Sequence, residues 1–219
     1  MLKISSAPRT TDAWRDAGAL ARSVYAAAYA ADIRPDPDAF IIATATAPDG
    51  TASIVGCAGC THASARPFFS ERYLDQPIEE VIAETTGRPV ARERIIEIGA
   101  LAGQGGSGRE MTRLIPIIAW CMGMEYILCT VTEPLRLSLE ELGITFTVLG
   151  PADPDRLPAE ERRSWGTYYD RKPQVGCIEL RVLAPLFAGA TGRYTFLEPV
   201  IELLADTTAP QEVAGSAGR

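Results

Sequence analysis

EIGALAGQGGSGRE, residues 97–110, sets five glycines (Gly99, Gly103, Gly105, Gly106 and Gly108) between an apolar strand-like run and an apolar helix-like one. A strand, a turn with little side chain and a helix N-terminus together form an anion cradle. Backbone N–H groups converge there, the helix dipole adds positive potential, and bare glycines allow close approach. The ligand this favours is a phosphate or pyrophosphate. The dinucleotide fingerprint G-x-G-x-x-G nearly fits Gly103, Gly105 and Gly108. It belongs, however, after the first strand of a βαβ unit with an acidic residue about 20 positions on. Here two hairpin strands come first, and Glu125 follows no second parallel strand.

Working outward, residues 11–31 carry Trp14, Leu20, Val24, Tyr25 and Ala28 at helical spacing, with Thr11 as N-cap and RPDP as the stop. FIIATATA, PDGT and SIVGCAGCTHA read as strand, turn and strand, a hairpin over residues 40–63. Residues 68–86 are helical with an interruption at Pro77, which suits a first-turn position. Then come strand 94–102, helix 109–124, strand 126–132, helix 134–142 closed by Gly143, strand 144–149, a polar loop rich in Pro and Asp, and a last strand over 174–182. The order α-β-β-α-β-α-β-α-β-β implies a mixed α/β (α+β) sheet. Residues 1–205 are expected as one domain and 206–219 as a disordered tail.

The 219 residues suffice for one substantial core. A net charge of −7 disfavours generic attraction to nucleic acid or anionic membrane. The first thirty residues show no secretory signal pattern, so a cytoplasmic location is expected. The apolar run 114–124 contains Pro116 and falls well short of the ~20 residues a spanning helix needs. The five cysteines are expected as reduced thiols. Cys57 and Cys60 in CAGC look like half a zinc site. No second pair follows, the lone His62 cannot complete four ligands, and odd spacing on a strand sends the two thiols to opposite faces. No metal is expected.

The spacing of Gly103, Gly106 and Gly108 is similar to the pyrophosphate loop Q/R-x-x-G-x-G/A of the GCN5-related N-acetyltransferase (GNAT) superfamily, with Gly103 in the Gln/Arg place and Gln104 one step late. The element order resembles that fold throughout. More closely, FFSERYLDQPIE, RERIIEIGALAG, LEELGITFTVLGPADPDRL and WGTYYDRKPQV resemble the thermostable haemolysin family in order, over roughly residues 25–180. The resemblance implies a GNAT-like, mixed and mostly antiparallel central sheet with splayed strands, flanked by helices and similar to that of acyl-homoserine-lactone synthases. It also implies acyl transfer from acyl-coenzyme A, or from a phosphopantetheine-bound acyl thioester on an acyl or peptidyl carrier protein, to a small-molecule amine. Where the family reads E-V-G-N-L-A, this chain has Glu97-Ile98-Gly99-Ala100-Leu101-Ala102, so a polar group is missing at Ala100.

Carried onto these residues, the resemblance implies that Ala100, Leu101 and Ala102 bind the donor's pantetheine arm like an added strand. Gly105, Gly106, Ser107, Gly108 and Arg109 would meet its phosphate end, with a solvated arginine as the alternative for Arg109. Glu97, a carboxylate in an apolar strand, reads either as a general base whose pKa burial raises or as a buried ion pair with Arg94 or Arg113. His62 reads as a base or shuttle, or as an ordinary surface or core histidine. Tyr168, beside Tyr169, reads as a phenol that protonates the leaving thiolate, or as packing. The helix EPLRLSLEELG lacks the tyrosine many relatives use as general acid. Phe68, Tyr73, Thr130 and Trp165 are expected around the acceptor. Cys60 and Cys129 are nucleophiles only if a base activates them, and otherwise small apolar residues. Arg88, Arg92, Arg94, Arg162, Arg163, Arg171 and Lys172 read as a carrier-protein dock or as solvated charge. A membrane-active protein, a non-catalytic thioester-binding domain, and a homodimer or monomer all stay open.

Overall fold

The computed structural model describes residues 2–63 and 67–189. The expected boundary at 205 and the tail 206–219 lie outside the described residues. Leu2–Pro8 forms an edge strand, β1, that the sequence reading leaves unassigned. Ala7 is its one buried residue, so it carries no alternating apolar signal, and antiparallel pairing with the next strand holds it in place.

Helix α1 (Asp12–Tyr29) starts where expected, with the Thr11 side chain accepting from the Trp14 N–H. Its buried Ala17, Gly18 and Ala21 let the helix lie close on the sheet. The hairpin forms as β2 (Ala39–Thr46) and β3 (Ala52–His62). The stretch read as one interrupted helix divides into a 3-10 turn, Phe69–Tyr73, and α2 (Ile78–Thr86), whose N-cap is Pro77. β4 (Ile95–Gly103), α3 (Ser107–Cys121), β5 (Tyr126–Val131) and α4 (Glu133–Glu141) then follow in the expected order. β6 (Thr147–Pro151) begins later than expected, and the polar loop holds a short helix, α5 (Ala159–Ser164). After the 3-10 turn Tyr168–Arg171 come β7 (Gln174–Glu179) and α6 (Ala184–Gly189).

The seven strands form one open sheet in the order β1-β2-β3-β4-β5-β7-β6. Only β4 and β5 run parallel, so the sheet is mixed and mostly antiparallel. Helices cover both faces. Cys57 joins the cluster under α1 while Cys60 joins the cluster under α3, as the odd spacing required.

Two features of β4 set up everything that follows. Its parallel pairing with β5 covers Ile95↔Tyr126, Ile96↔Ile127 and Glu97↔Leu128 and then stops, while β4 stays paired to β3 as far as Gly103 and β5 to β7 as far as Val131. Against β3, three steps from Gly99 to Ala102 oppose two from Cys57 to Gly59, a bulge in which Ala100 sits at φ 48°.

The end of β4 also explains one glycine sterically. A Cβ on Gly103 would lie 2.4 Å from the Gly108 nitrogen and 2.7 Å from its Cα, so the strand can meet the start of α3 only as glycine. Gly103→Ala is therefore expected to cost about 2 kcal/mol or more in urea unfolding. Gly99→Ala, whose added Cβ would meet nothing within 4 Å, is the control expected to change stability little.

Candidate active site

Beyond Glu97 and Leu128 the two strands leave a cleft of 430 Å³ lined by Ala100, Leu101, Ala102, Gly103, Gly108, Arg109, Thr132 and Ser138 among others. The residues expected to hold the pantetheine arm therefore do line an opening between the strands. Of the expected phosphate group, Gly108 and Arg109 line it, whereas Gly105, Gly106 and Ser107 form the turn at its mouth. Gly105 and Gly106 adopt φ 56° and 84°, conformations that suit glycine. The amides of Gly105, Gly106 and Gly108 donate to no backbone carbonyl among the described residues.

Ser107 offers no free hydroxyl. It is buried, and its hydroxyl is spent inside the turn, 2.6 Å from the Val55 carbonyl and 2.8 Å from that of Gln104. Its side chain locks the loop to β3 and is not available to a phosphate. Arg109 makes an exposed ion pair with Glu141 at 3.0 Å, which leaves its charge free to be exchanged.

A larger cavity of 1040 Å³ adjoins this cleft along β4. Phe68, Tyr73, Thr130, Trp165 and Glu97 all line it, so the residues expected around the acceptor share one space. The two cavities have six lining residues in common: Tyr25, Ile98, Gly99, Ala100, Thr130 and Tyr168. These mark where they meet.

Glu97 makes neither of the ion pairs considered for it. Arg94 donates to the Gly123 carbonyl and Arg113 pairs with Glu110. Instead, Glu97, 6% exposed, accepts the backbone N–H of Phe69 at 2.8 Å and of Ser70 at 2.7 Å. A turn's first amides have no partner within the turn, and this carboxylate supplies one from across the sheet. Burial raises its pKa above the ordinary glutamate value, and the bonds from Ser70 and Phe69 only partly oppose that. Ser70 also bonds through its hydroxyl to that of Thr130 at 2.9 Å.

A second carboxylate anchors the same turn. Glu71 accepts from the Phe68 and Ile78 N–H groups and binds both Arg92 nitrogens, at 2.6 and 2.7 Å. Arg92 thus serves the fold and leaves the basic dock considered for it. Arg162 is likewise paired, with Asp155, whereas Arg88, Arg163, Arg171 and Lys172 are exposed.

His62 lies elsewhere. It stands in register with Ile96, one place on from the Thr61↔Glu97 pair, so it points to the opposite sheet face and lines neither cavity. Tyr168 is buried at the meeting point, and its phenol donates to the Thr130 carbonyl at 3.3 Å. Burial, with the neighbouring phenols of Tyr25 and Tyr29, holds its pKa well above 10. Burial also pushes the Cys60 thiol up to about 12 and the Cys129 thiol upward as well, so neither offers a thiolate.

Tyr25 and Ser70 were missed in the sequence. Tyr25 looked like one more apolar position of a helix, and Ser70 sat inside a stretch read as helical, where no spacing marks a polar group as facing a cavity. Ala100 at φ 48° is the strained member of the site, because the left-handed region costs alanine about 1–2 kcal/mol. Asparagine tolerates it better. Ala100→Asn is expected to raise the urea midpoint by the equivalent of about 1 kcal/mol, and an unchanged or lower midpoint would refute strain there.

The family model described as "Thermostable hemolysin" matches residues 7–183. No match was found among curated protein sequences. Among solved structures, the acyl-homoserine-lactone synthase LasI superposes with a TM-score of 0.54 at 14% identity, over 91% of this chain and 98% of that one. The CoA-dependent acyl-homoserine-lactone synthase BjaI, solved with SAM and isopentyl-CoA, gives 0.53 at 12% identity, over 87% and 90%. FeeM, an N-acyl amino acid synthase from uncultured soil microbes, gives 0.52 at 11% identity, over 83% and 92%. At these identities the likeness shows a shared fold.

Proposed function

The chain belongs to the thermostable haemolysin family, and from that premise and the geometry of the two cavities we propose that it is an N-acyltransferase. It would move an acyl or aminoacyl group from a thioester, on coenzyme A or a carrier protein, to the amine of a small molecule. The observation that carries this reading is the end of β4–β5 pairing at Glu97↔Leu128, which opens a strand edge onto a cleft that meets a second, larger cavity.

An unpaired strand edge recognises an amide-bearing, extended chain by completing its ladder, and a pantetheine arm is such a chain. The arm lies along residues 100–102, its phosphate end at the glycine turn and Arg109. The amine enters from the 1040 Å³ cavity, so thioester and amine meet at the shared residues. Holding the two in line supplies most of the rate, since a bound pair reacts as one molecule. With Cys60 and Cys129 protonated, direct transfer needs no acyl-enzyme. Glu97, facing the acceptor cavity with a raised pKa, takes the proton the amine loses. The fold shared with synthases of acyl-homoserine lactones and an N-acyl amino acid supports the same chemistry.

Mass spectrometry of the protein with acyl-coenzyme A and carrier-bound thioesters, each with a mixture of small amines, tests the reading. A new amide that depends on the protein supports it. No product from either donor across the panel, with leakage of dye-loaded liposomes by the same sample, would replace it with the lytic activity the family name suggests. For Glu97 the expected signature is a pH–rate limb above the usual carboxylate range near 4.5, rising as the group ionises. Glu97→Gln should remove that limb while leaving donor binding in place.

A further inference from the structure

The reading as an acyltransferase leaves open what stabilises the sulfur as the C–S bond breaks, because α4 carries no tyrosine. The six residues common to the two cavities narrow the choice, since the reacting carbon must lie where both are open. Ile98, Gly99 and Ala100 bring no side-chain hydrogen-bond donor. The Thr130 hydroxyl is paired with that of Ser70, either of which can be the donor, and the Tyr168 phenol donates to the Thr130 carbonyl. Of the two phenols at the junction, the one not already bonded is Tyr25, on the last turns of α1. Its phenol makes no hydrogen bond among the described residues, and the residue lines both cavities.

The ring is held firmly. It stacks on Tyr168 with centroids 6.2 Å apart at 24°, and meets the ring edges or faces of Tyr29 and Trp165 at 5.6 and 6.2 Å. The helix end that carries it is tied to the opposite segment, where the Thr167 N–H and hydroxyl both donate to the Tyr29 carbonyl, at 2.8 and 3.1 Å. A Cβ on Gly166 would lie 2.1 Å from that carbonyl, so the close approach requires glycine there. Burial, with Tyr29 and Cys57 nearby, raises the Tyr25 pKa, so the phenol keeps its proton at neutral pH and has it to donate in a hydrogen bond.

We propose that Tyr25 is a catalytic residue of this acyl transfer, its O–H donating a hydrogen bond to the thioester sulfur as the leaving thiolate forms. The amine nitrogen bonds to the carbonyl carbon and its proton passes to Glu97. The tetrahedral adduct collapses, and the C–S electron pair goes to sulfur. Tyr25 holds that charge by hydrogen bonding and is unchanged at the end, and the thiolate leaves with a proton from water that balances the one released through Glu97. Amine and thioester become amide and thiol.

Leaving-group dependence tests this. With an alkyl thioester of coenzyme A or pantetheine, Tyr25→Phe is expected to lower kcat about 100-fold with little change in KM. With an aryl thioester of thiophenol, whose thiolate needs less help, the loss should shrink to about threefold or less. Tyr29→Phe, which faces the donor cleft alone, should not show this difference. 3-Fluorotyrosine at position 25 keeps the ring and should restore alkyl-thioester turnover to at least the wild-type rate. Equal losses with both donors, or no loss, overturn the role of Tyr25 while leaving acyl transfer intact. Absence of amide from the wild-type protein with every donor overturns the acyltransferase reading and this one with it.

Discussion

A strand in the middle of a sheet must satisfy its backbone on both edges, and β4 does so only over its first half. Past Glu97 its β3 edge stays paired while its β5 edge faces an opening. In a core this would be an unmet demand for hydrogen bonds of a kind folded proteins avoid. It is tolerated where a ligand or water can meet it. The bulge at Ala100 belongs to the same arrangement, because it turns β4 locally just where pairing with β5 is lost. The glycine turn then carries the chain from that edge directly into the start of α3.

The wall opposite this edge is built by carboxylates rather than by apolar packing alone. Glu97 reaches from β4 to the amides of Phe69 and Ser70, and Glu71 holds the amides of Phe68 and Ile78 together with Arg92. The buried Glu97 and the half-buried Glu71 thereby fix a short 3-10 turn that would have little stability by itself. Each is satisfied by several donors, which is what makes a buried carboxylate affordable to the fold. The same turn presents Phe68, Ser70 and Tyr73 to the larger cavity, so the hydrogen bonds that secure it also shape that space.

A second constraint closes the site from the helix side. Gly166 and Thr167 dock on the C-terminal end of α1, and this brings Tyr25 and Tyr29 against Trp165 and Tyr168. The aromatic contacts give rigid orientation, since each ring is fixed by the edges or faces of its neighbours. Among the described residues no helix is long and apolar enough to cross a membrane.

Hydrophobic period and glycine punctuation were enough to read most of the architecture. The hairpin, β4, α3, β5 and the glycine turn are local patterns, and the order of elements pointed to a GNAT-like sheet. β1 escaped because an edge strand is stabilised by pairing that leaves no periodic signature, and α5 because six residues, five of them polar, do not announce a helix. Ala100 to Ala102, which the family resemblance singled out, line the cleft because they lie on the stretch of β4 that β5 leaves unpaired. The site was not legible where two distant segments meet. That Glu97 ligates amides instead of an arginine, that His62 faces away, that Ser107 is consumed by its own turn and that Tyr25 reaches the junction all depend on register and helix docking. Sequence determines which backbone groups and side chains are available, because those preferences are local. Only the tertiary structure decides which of them are already spent on one another and which remain free for a ligand.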